Sequence, residues 1–190
     1  LQSDERRDFP DGPMKKGESF GNIGISGKWG LTNNMTLSGA LNPDFSQVEA
    51  DVAQLDINKQ FALYYPEKRP FFLEGQDFFE TPIQALYTRS VADPDWGVKI
   101  SGKEGKNAIG FFSAQDQMTN LLFPGSQGSM AGFLNQRSYS NVLRYRRDVG
   151  GGSTVGLLMT DREGDSYHNR LAGLDGLLRL SKSDVVSFQL

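Results

Sequence analysis

Over most of this chain, single hydrophobic residues alternate with polar or small ones. This period-2 pattern belongs to strands with two chemically different faces. In Asn22–Trp29, Ile23, Ile25, Gly27 and Trp29 share one face, and Asn22, Gly24, Ser26 and Lys28 the other. After the turn residues Leu31–Asn34, Met35, Leu37, Gly39 and Leu41 alternate with Thr36, Ser38, Ala40 and Asn42. The two runs predict a hairpin. Three more follow. Trp96, Val98, Ile100 and Gly102 alternate with Gly97, Lys99, Ser101 and Lys103, and a turn at Glu104–Asn107 leads into Ala108–Gln115. The face of that returning strand stays open between Ile109 with Phe111 and Phe112 with Ala114. Tyr139–Arg147 and Ser153–Thr160 join through Asp148–Gly152, and Ala172–Leu180 returns through Ser181–Asp184 into Val186–Leu190. The charged, Pro- and Gly-rich residues 1–20 read as loop. No long helical period occurs; Asp56–Tyr65 fits a short helix turn or a strand equally well.

The connections sharpen this picture. Within each hairpin the link is four or five residues, whereas Pro43–Asp95, Asp116–Ser138 and about Asp161–Asn169 are long. Alternating short and long links predict a barrel with tight turns on one rim and large loops on the other. The runs also approach the roughly 9–11 residues of a transmembrane strand. A soluble antiparallel sandwich shares the alternation and the turns. Three features favour the membrane. Lys28, Lys99, Arg144, Arg146, Asp175 and Arg179 lie on the non-apolar faces near strand centres, as a wet lumen permits. The apolar faces carry almost no charge, where a mid-depth Lys or Arg would cost roughly 2–4 kcal/mol. Trp29, Trp96, Tyr139 and Tyr145 lie near strand ends or on the apolar face. The expected fold is all-β: part of an antiparallel up-and-down transmembrane β-barrel with a long insertion between hairpins. Its expected divisions are a loop at 1–20, a hairpin at 21–42, a plug or lid at 43–95 and three further hairpins over 96–190. With short turns toward the periplasm, Leu1–Phe20 would begin outside the cell. The missing initiator Met and the stop in mid-pattern at Leu190 suggest a piece of a longer barrel.

Composition adds exclusions. Gly supplies 22 of 190 residues, about 12% against roughly 7% on average. The 13 Phe, 6 Tyr and 2 Trp argue against disorder. There is no Cys, which removes disulfides and thiolate chemistry, and a lone His168 makes a histidine metal cluster or a Ser-His-Asp triad improbable. A formal net charge of −3 offers no general attraction for nucleic acid. No apolar run reaches the roughly 18 residues of a membrane-spanning helix.

Pro43–Arg89 is too long to be an idle connection. It interleaves acids (Glu49, Asp51, Glu67, Glu74) and bases (Lys68, Arg69, Arg89) with aromatic residues such as Phe71, Phe72, Phe78 and Phe79. Such a segment suits a compact lid or plug, with charge pairs toward lumen residues and the rings forming a small core. The runs GLTNNMTLSGALNPDFSQVEAD (30–51) and YYPEKRPFFLEG (64–75), with the later hairpins RYRRDVGGGSTVGLLMTDRE and NRLAGLDGLLRL, carry a resemblance. Over roughly Gly21–Leu190 the chain resembles an outer-membrane β-barrel family of unknown function, in which the barrel follows a domain similar to carbohydrate-binding-module family 9. That resemblance implies a Gram-negative outer-membrane location, lipid as a partner, and a role linked to glycans. It implies no catalytic residue, and the missing upstream domain takes its sugar contacts with it.

The charged residues Glu49, Asp51, Glu67, Lys68, Arg69, Glu74, Arg89, Arg144 and Arg146 form the candidate cluster, either contacting ligand or anchoring the insertion inside the barrel by salt bridges. The anchoring role is the commoner fate of such clusters. For the arginines at 144, 146 and 147, pairing with Asp148 or Asp175 is preferred over capture of anionic lipopolysaccharide. Asp44, Glu49 and Asp51 lack the loop grammar of a calcium site, and Glu49 with Asp51 shows nothing that would flank a sugar. GNIGISG lacks the Lys-Ser ending of a phosphate loop, and VGGGST reads as a turn. The reading therefore assigns no cofactor, metal or catalytic residue. It expects a conduit or receptor linked to glycan binding or uptake. The alternatives are a non-conducting anchor that displays a carbohydrate-binding domain and, further off, a surface glycan hydrolase.

Overall fold

The computed structural model describes residues 2–7, 14–20, 23–43, 66–125 and 128–190. Its body is an eight-stranded antiparallel meander. The strands are β3 (Ile25–Gly30), β4 (Met35–Leu41), β5 (Pro94–Glu104), β6 (Asn107–Asp116), β9 (Ser138–Gly150), β10 (Ser153–Gly164), β11 (Tyr167–Arg179) and β12 (Val185–Gln189). They lie side by side in that order, so the sheet is open, with β3 and β12 at its edges. Two separate hairpins complete the β structure: β1 (Gln2–Arg7) with β2 (Met14–Phe20), and β7 (Thr119–Gly125) with β8 (Gly128–Leu134). The only helix among the described residues is the single turn α1 (Pro70–Leu73), accompanied by 3-10 turns at Gln76–Phe79 and Thr88–Ser90.

Several expectations change. Residues 2–7 and 14–20, expected as loop, pair as β1 and β2. The long link Asp116–Ser138 folds into the β7–β8 ribbon, while β6 and β9 pair directly beneath it. The expected link Asp161–Asn169 is mostly strand: β10 and β11 run up to a turn at Asp165–Ser166, paired as far as Gly164 with Tyr167. Short and long connections therefore do not alternate strictly. The polar residues Asp161, Glu163, His168 and Arg170 masked this extension, because they interrupt hydrophobic alternation without interrupting the backbone ladder. Asp56–Tyr65 lies outside the described residues.

The core is displaced from where hydrophobicity alone would put it. On β6 the inward residues are Ala108, Gly110, Phe112, Ala114 and Asp116, which settles the face left open by the pattern. Phe112, Ala114, Val142 and Leu158 meet Phe72, Phe79, Val91 and Ala92 of the segment 66–93. That segment, here called the strap, lies across the polar face of the sheet. The apolar face is bare: Ile25, Trp29 and Leu174 are 67%, 58% and 54% exposed.

Candidate functional site: a strap on the charged face

The strap is held first by its own residues. Glu67 accepts hydrogen bonds from Arg69 Nε (2.8 Å), Arg69 Nη2 (2.7 Å) and Thr88 Oγ1 (2.6 Å). Arg69 also donates to the carbonyls of Val91 and of Thr88, the latter at 3.0 Å, and lies 4.3 Å above the Phe72 ring. This node ties 67–69 to 88–91 and closes the strap into a loop. Burial pushes the Glu67 carboxyl up, but the hydrogen bonds from Arg69 and Thr88 and the Arg69 charge outweigh it. Its pKa therefore lies below the ordinary glutamate value. Asp93, where the strap enters β5, is pushed up by burial and by the charge of Asp95.

Side chains of the sheet then grip the strap from below. Lys99, 2% exposed, donates to the carbonyls of Phe71 and Glu74 at the end of α1. Arg144, also 2% exposed, donates from Nε to the Glu80 carbonyl (3.2 Å). Its two terminal nitrogens form a bidentate pair with Asp175 at 2.6 and 2.8 Å. That pair reaches diagonally from β9 to β11 across β10, and Gly156 leaves the space: a Cβ there would collide with Arg144 Nη1. Two more inward glycines seat rings. A Cβ on Gly97 would stand 3.1 Å from Phe71, and one on Gly110 would stand 3.0 Å from Phe79. Phe72 and Phe79 meet Phe112 edge to face at 5.6 and 5.7 Å, contacts that add about 0.5–1.5 kcal/mol each beyond their burial.

Both edges of the sheet reach the same segment. From β3, Lys28 pairs with Glu74 at 2.8 Å. From β12, Gln189 clasps Ile83, its Nε2 donating to the carbonyl (3.1 Å) and its Oε1 accepting from the amide (2.6 Å). At the downstream end, Asp116 accepts from the amides of Ala92 (3.0 Å) and Asp93 (2.9 Å), and Arg162 donates to the carbonyls of Ser90 (3.0 Å) and Asn120 (2.6 Å). One short segment thus meets the inner side of the sheet from one edge strand to the other. A cavity of about 320 Å³ remains between the two, lined by Gln76, Glu80, Gln84 and Arg89 around Phe72 and Phe79.

The expected cluster is thereby divided. Glu67, Arg69 and Arg89 sit together inside the strap, where Arg89 donates to the Pro66 carbonyl at 2.7 Å. Lys68 is exposed, and Glu74 faces Lys28 in a half-exposed pair. Arg144 joins the site from the sheet and pairs with Asp175. Asp148 belongs instead to Lys103, at 2.7 Å. Arg146 is half-buried on β9, opposite Ala108 and Gly156. Asp44, Glu49 and Asp51 lie outside the described residues. Among the described residues no group of His, Cys, Asp or Glu is arranged to hold a metal ion. Sequence reading missed Gln189, Asp116 and Arg162. Their signal was only inward phase on a strand, which says nothing about what lies opposite. The glycines were more telling: Gly97 and Gly156 fall on the polar phase of their strands, where a missing side chain makes room for something above.

The architecture is that of an all-β protein built on an open antiparallel sheet, with charge on the face that is covered. The chain belongs to the family described as Domain of unknown function (DUF5916), whose model matches residues 11–120. No curated protein and no solved structure matches it.

Proposed function

We propose that this chain forms part of the wall of a Gram-negative outer-membrane β-barrel. In this reading the strap plugs the lumen, and the barrel acts as a closed conduit or receptor for glycan fragments. One observation carries the proposal: Lys99 and Arg144 are buried beneath the strap while Ile25, Trp29 and Leu174 on the opposite face are bare. In water that distribution is upside down, because apolar surface gains roughly 25 cal/mol per Å² on leaving it. Against acyl chains it is the expected order, with outward apolar and inward polar residues alternating along each strand. The glycan link rests on the resemblance of the 30–51 and 64–75 motifs. The lining of the cavity suits it, since amides, a carboxylate and a guanidinium beside phenyl rings complement a hydroxyl-rich ligand.

A second reading has its own support. Polar contacts from both edge strands and from β5 and β9 hold the strap in place, as a non-conducting anchor for a carbohydrate-binding domain would require. Two measurements on the full-length protein separate the possibilities. Heat-modifiable gel migration of an outer-membrane fraction tests the barrel, and a detergent-free soluble monomer would sink it. Planar-bilayer conductance tests the conduit. Low conductance that rises when 70–83 is deleted supports a plugged pore, whereas silence from both forms leaves the anchor.

A further inference from the structure

The bare face has internal structure that its hydrophobicity alone does not reveal. Cross-strand pairs line up into rows that run from strand to strand, and two adjacent outward rows are apolar throughout. One passes from Trp29 and Leu37 through Ile100, Phe111 and Leu143 to Met159 and Ala172. The next passes from Met35 and Gly102 through Ile109 and Tyr145 to Leu157 and Leu174. The flanking rows change character along their length, in opposite directions. Toward the β7–β8 ribbon, one row begins with Ile25, Leu41 and Trp96, passes Gln115 and Tyr139, and ends at Glu163 and His168. Between it and the apolar rows, Gly27, Gly39 and Val98 give way to Ser113 and Asn141, then to Asp161 and Arg170, which pair at 2.8 Å. Toward the short turns the order inverts: Glu104, Asn107 and Arg147 lead to Val155, Gly176 and Phe188.

The apolar zone is thus an oblique belt. On β3–β5 it sits toward the ribbon side, and on β10–β12 toward the turn side. From these rows we infer that the belt is the contact surface for bilayer acyl chains and that its slope gives the tilt of the strands in the membrane. The inference rests on the outer-membrane reading and deepens it. A displacement of two pleat steps, about 14 Å, across a sheet about 34 Å wide is a tilt of roughly 20°, shallower than the roughly 35–45° of closed outer-membrane barrels. Acyl chains fit this face better than a protein partner does. The strap ties down the inner side from both edge strands, and a fluid solvent covers an outer face eight strands wide without needing a matching shape. Glu163, His168, Asp161 and Arg170 then stand beyond one border of the hydrocarbon, and Glu104 and Arg147 beyond the other.

These 190 residues hold no cysteine to compete for a label. Single spin labels are placed at Ile25→Cys, His168→Cys, Arg147→Cys and Phe188→Cys in the full-length protein in phosphatidylcholine vesicles. Access to oxygen is then compared with access to a water-soluble nickel chelate. Oxygen should dominate at 25 and 188 and the chelate at 168 and 147, reversing the preference at least several-fold within each row. Equal preferences for 25 and 168, and for 147 and 188, would overturn the slope while leaving the membrane reading intact. Failure to enter vesicles would overturn both. Oxygen and chelate excluded alike from 25 and 188 in a detergent-free dimer would assign the face to a second copy. If a labelled form fails to fold, quenching of native Trp29 by brominated lipids is the independent check, and its absence counts against the belt.

Discussion

Two residues apart by one position on β9 show how differently the faces of this sheet are treated. Arg144 points inward, is 2% exposed, and spends its donors on Asp175 and the strap; Leu143 points outward with nothing described above it and is 37% exposed. The same contrast repeats on β5 between Lys99 and Ile100, and on β11 between Asp175 and Leu174. Inside, burial is achieved by satisfying charge; outside, apolar surface is left uncovered. Stability on the inner face therefore depends on specific partners, whereas stability on the outer face depends on the surrounding solvent.

The sharpest way to break the inner half of this contrast is to strand one charge. Asp175→Ala leaves Arg144 buried and unpaired, with an expected loss of about 3–5 kcal/mol. Replacing both partners by Met should recover much of it, and the midpoint of chemical unfolding checks both. Removing a ring instead of a charge, Phe79→Ala should cost about 3–5 kcal/mol and loosen the strap, seen as faster proteolysis within 70–83. The outer half is broken by charging it. Leu174→Arg at the centre of the belt should cost roughly 2–4 kcal/mol in a bilayer, while Arg170→Leu at its border should have a smaller effect. Equal, negligible effects of both in lipid would remove the membrane reading.

Two smaller effects refine the comparison within the strap. The Glu67 pKa is depressed on folding, so its contribution is present above its ordinary value of 4.5 and is lost as pH falls through the lower folded value. Wild type should therefore lose thermal stability relative to Glu67→Gln as pH drops below about 4.5. A gap that persists unchanged to the acid end would mean the node is not held by that charge. Lys28→Ala, which breaks a half-exposed pair with Glu74, should shift stability by less than about 1 kcal/mol, and high salt should erase even that. A large effect would mean that the edge strand depends on the strap for its place.

By itself, the sequence determined the eight strands of the main sheet and, except on β6, their two faces. Alternation is a local, covalent property: successive side chains leave a strand on opposite sides, so Lys99 and Ile100 are separated before any tertiary contact forms. It also marked Glu67, Arg69 and the Phe-rich run as a unit. It stopped where alternation stops, missing the charged ends of β10 and β11, the β7–β8 ribbon and the paired residues at the N-terminus. Only the tertiary structure decided that Arg144 would choose Asp175 over Asp148, that Gln189 would clasp Ile83, and that Gly97 and Gly110 would seat phenyl rings. Those choices depend on which residues stand opposite across the register and on the space between strap and sheet. Contacts between residues as distant in the chain as Ile83 and Gln189 leave no periodic trace in the order of residues.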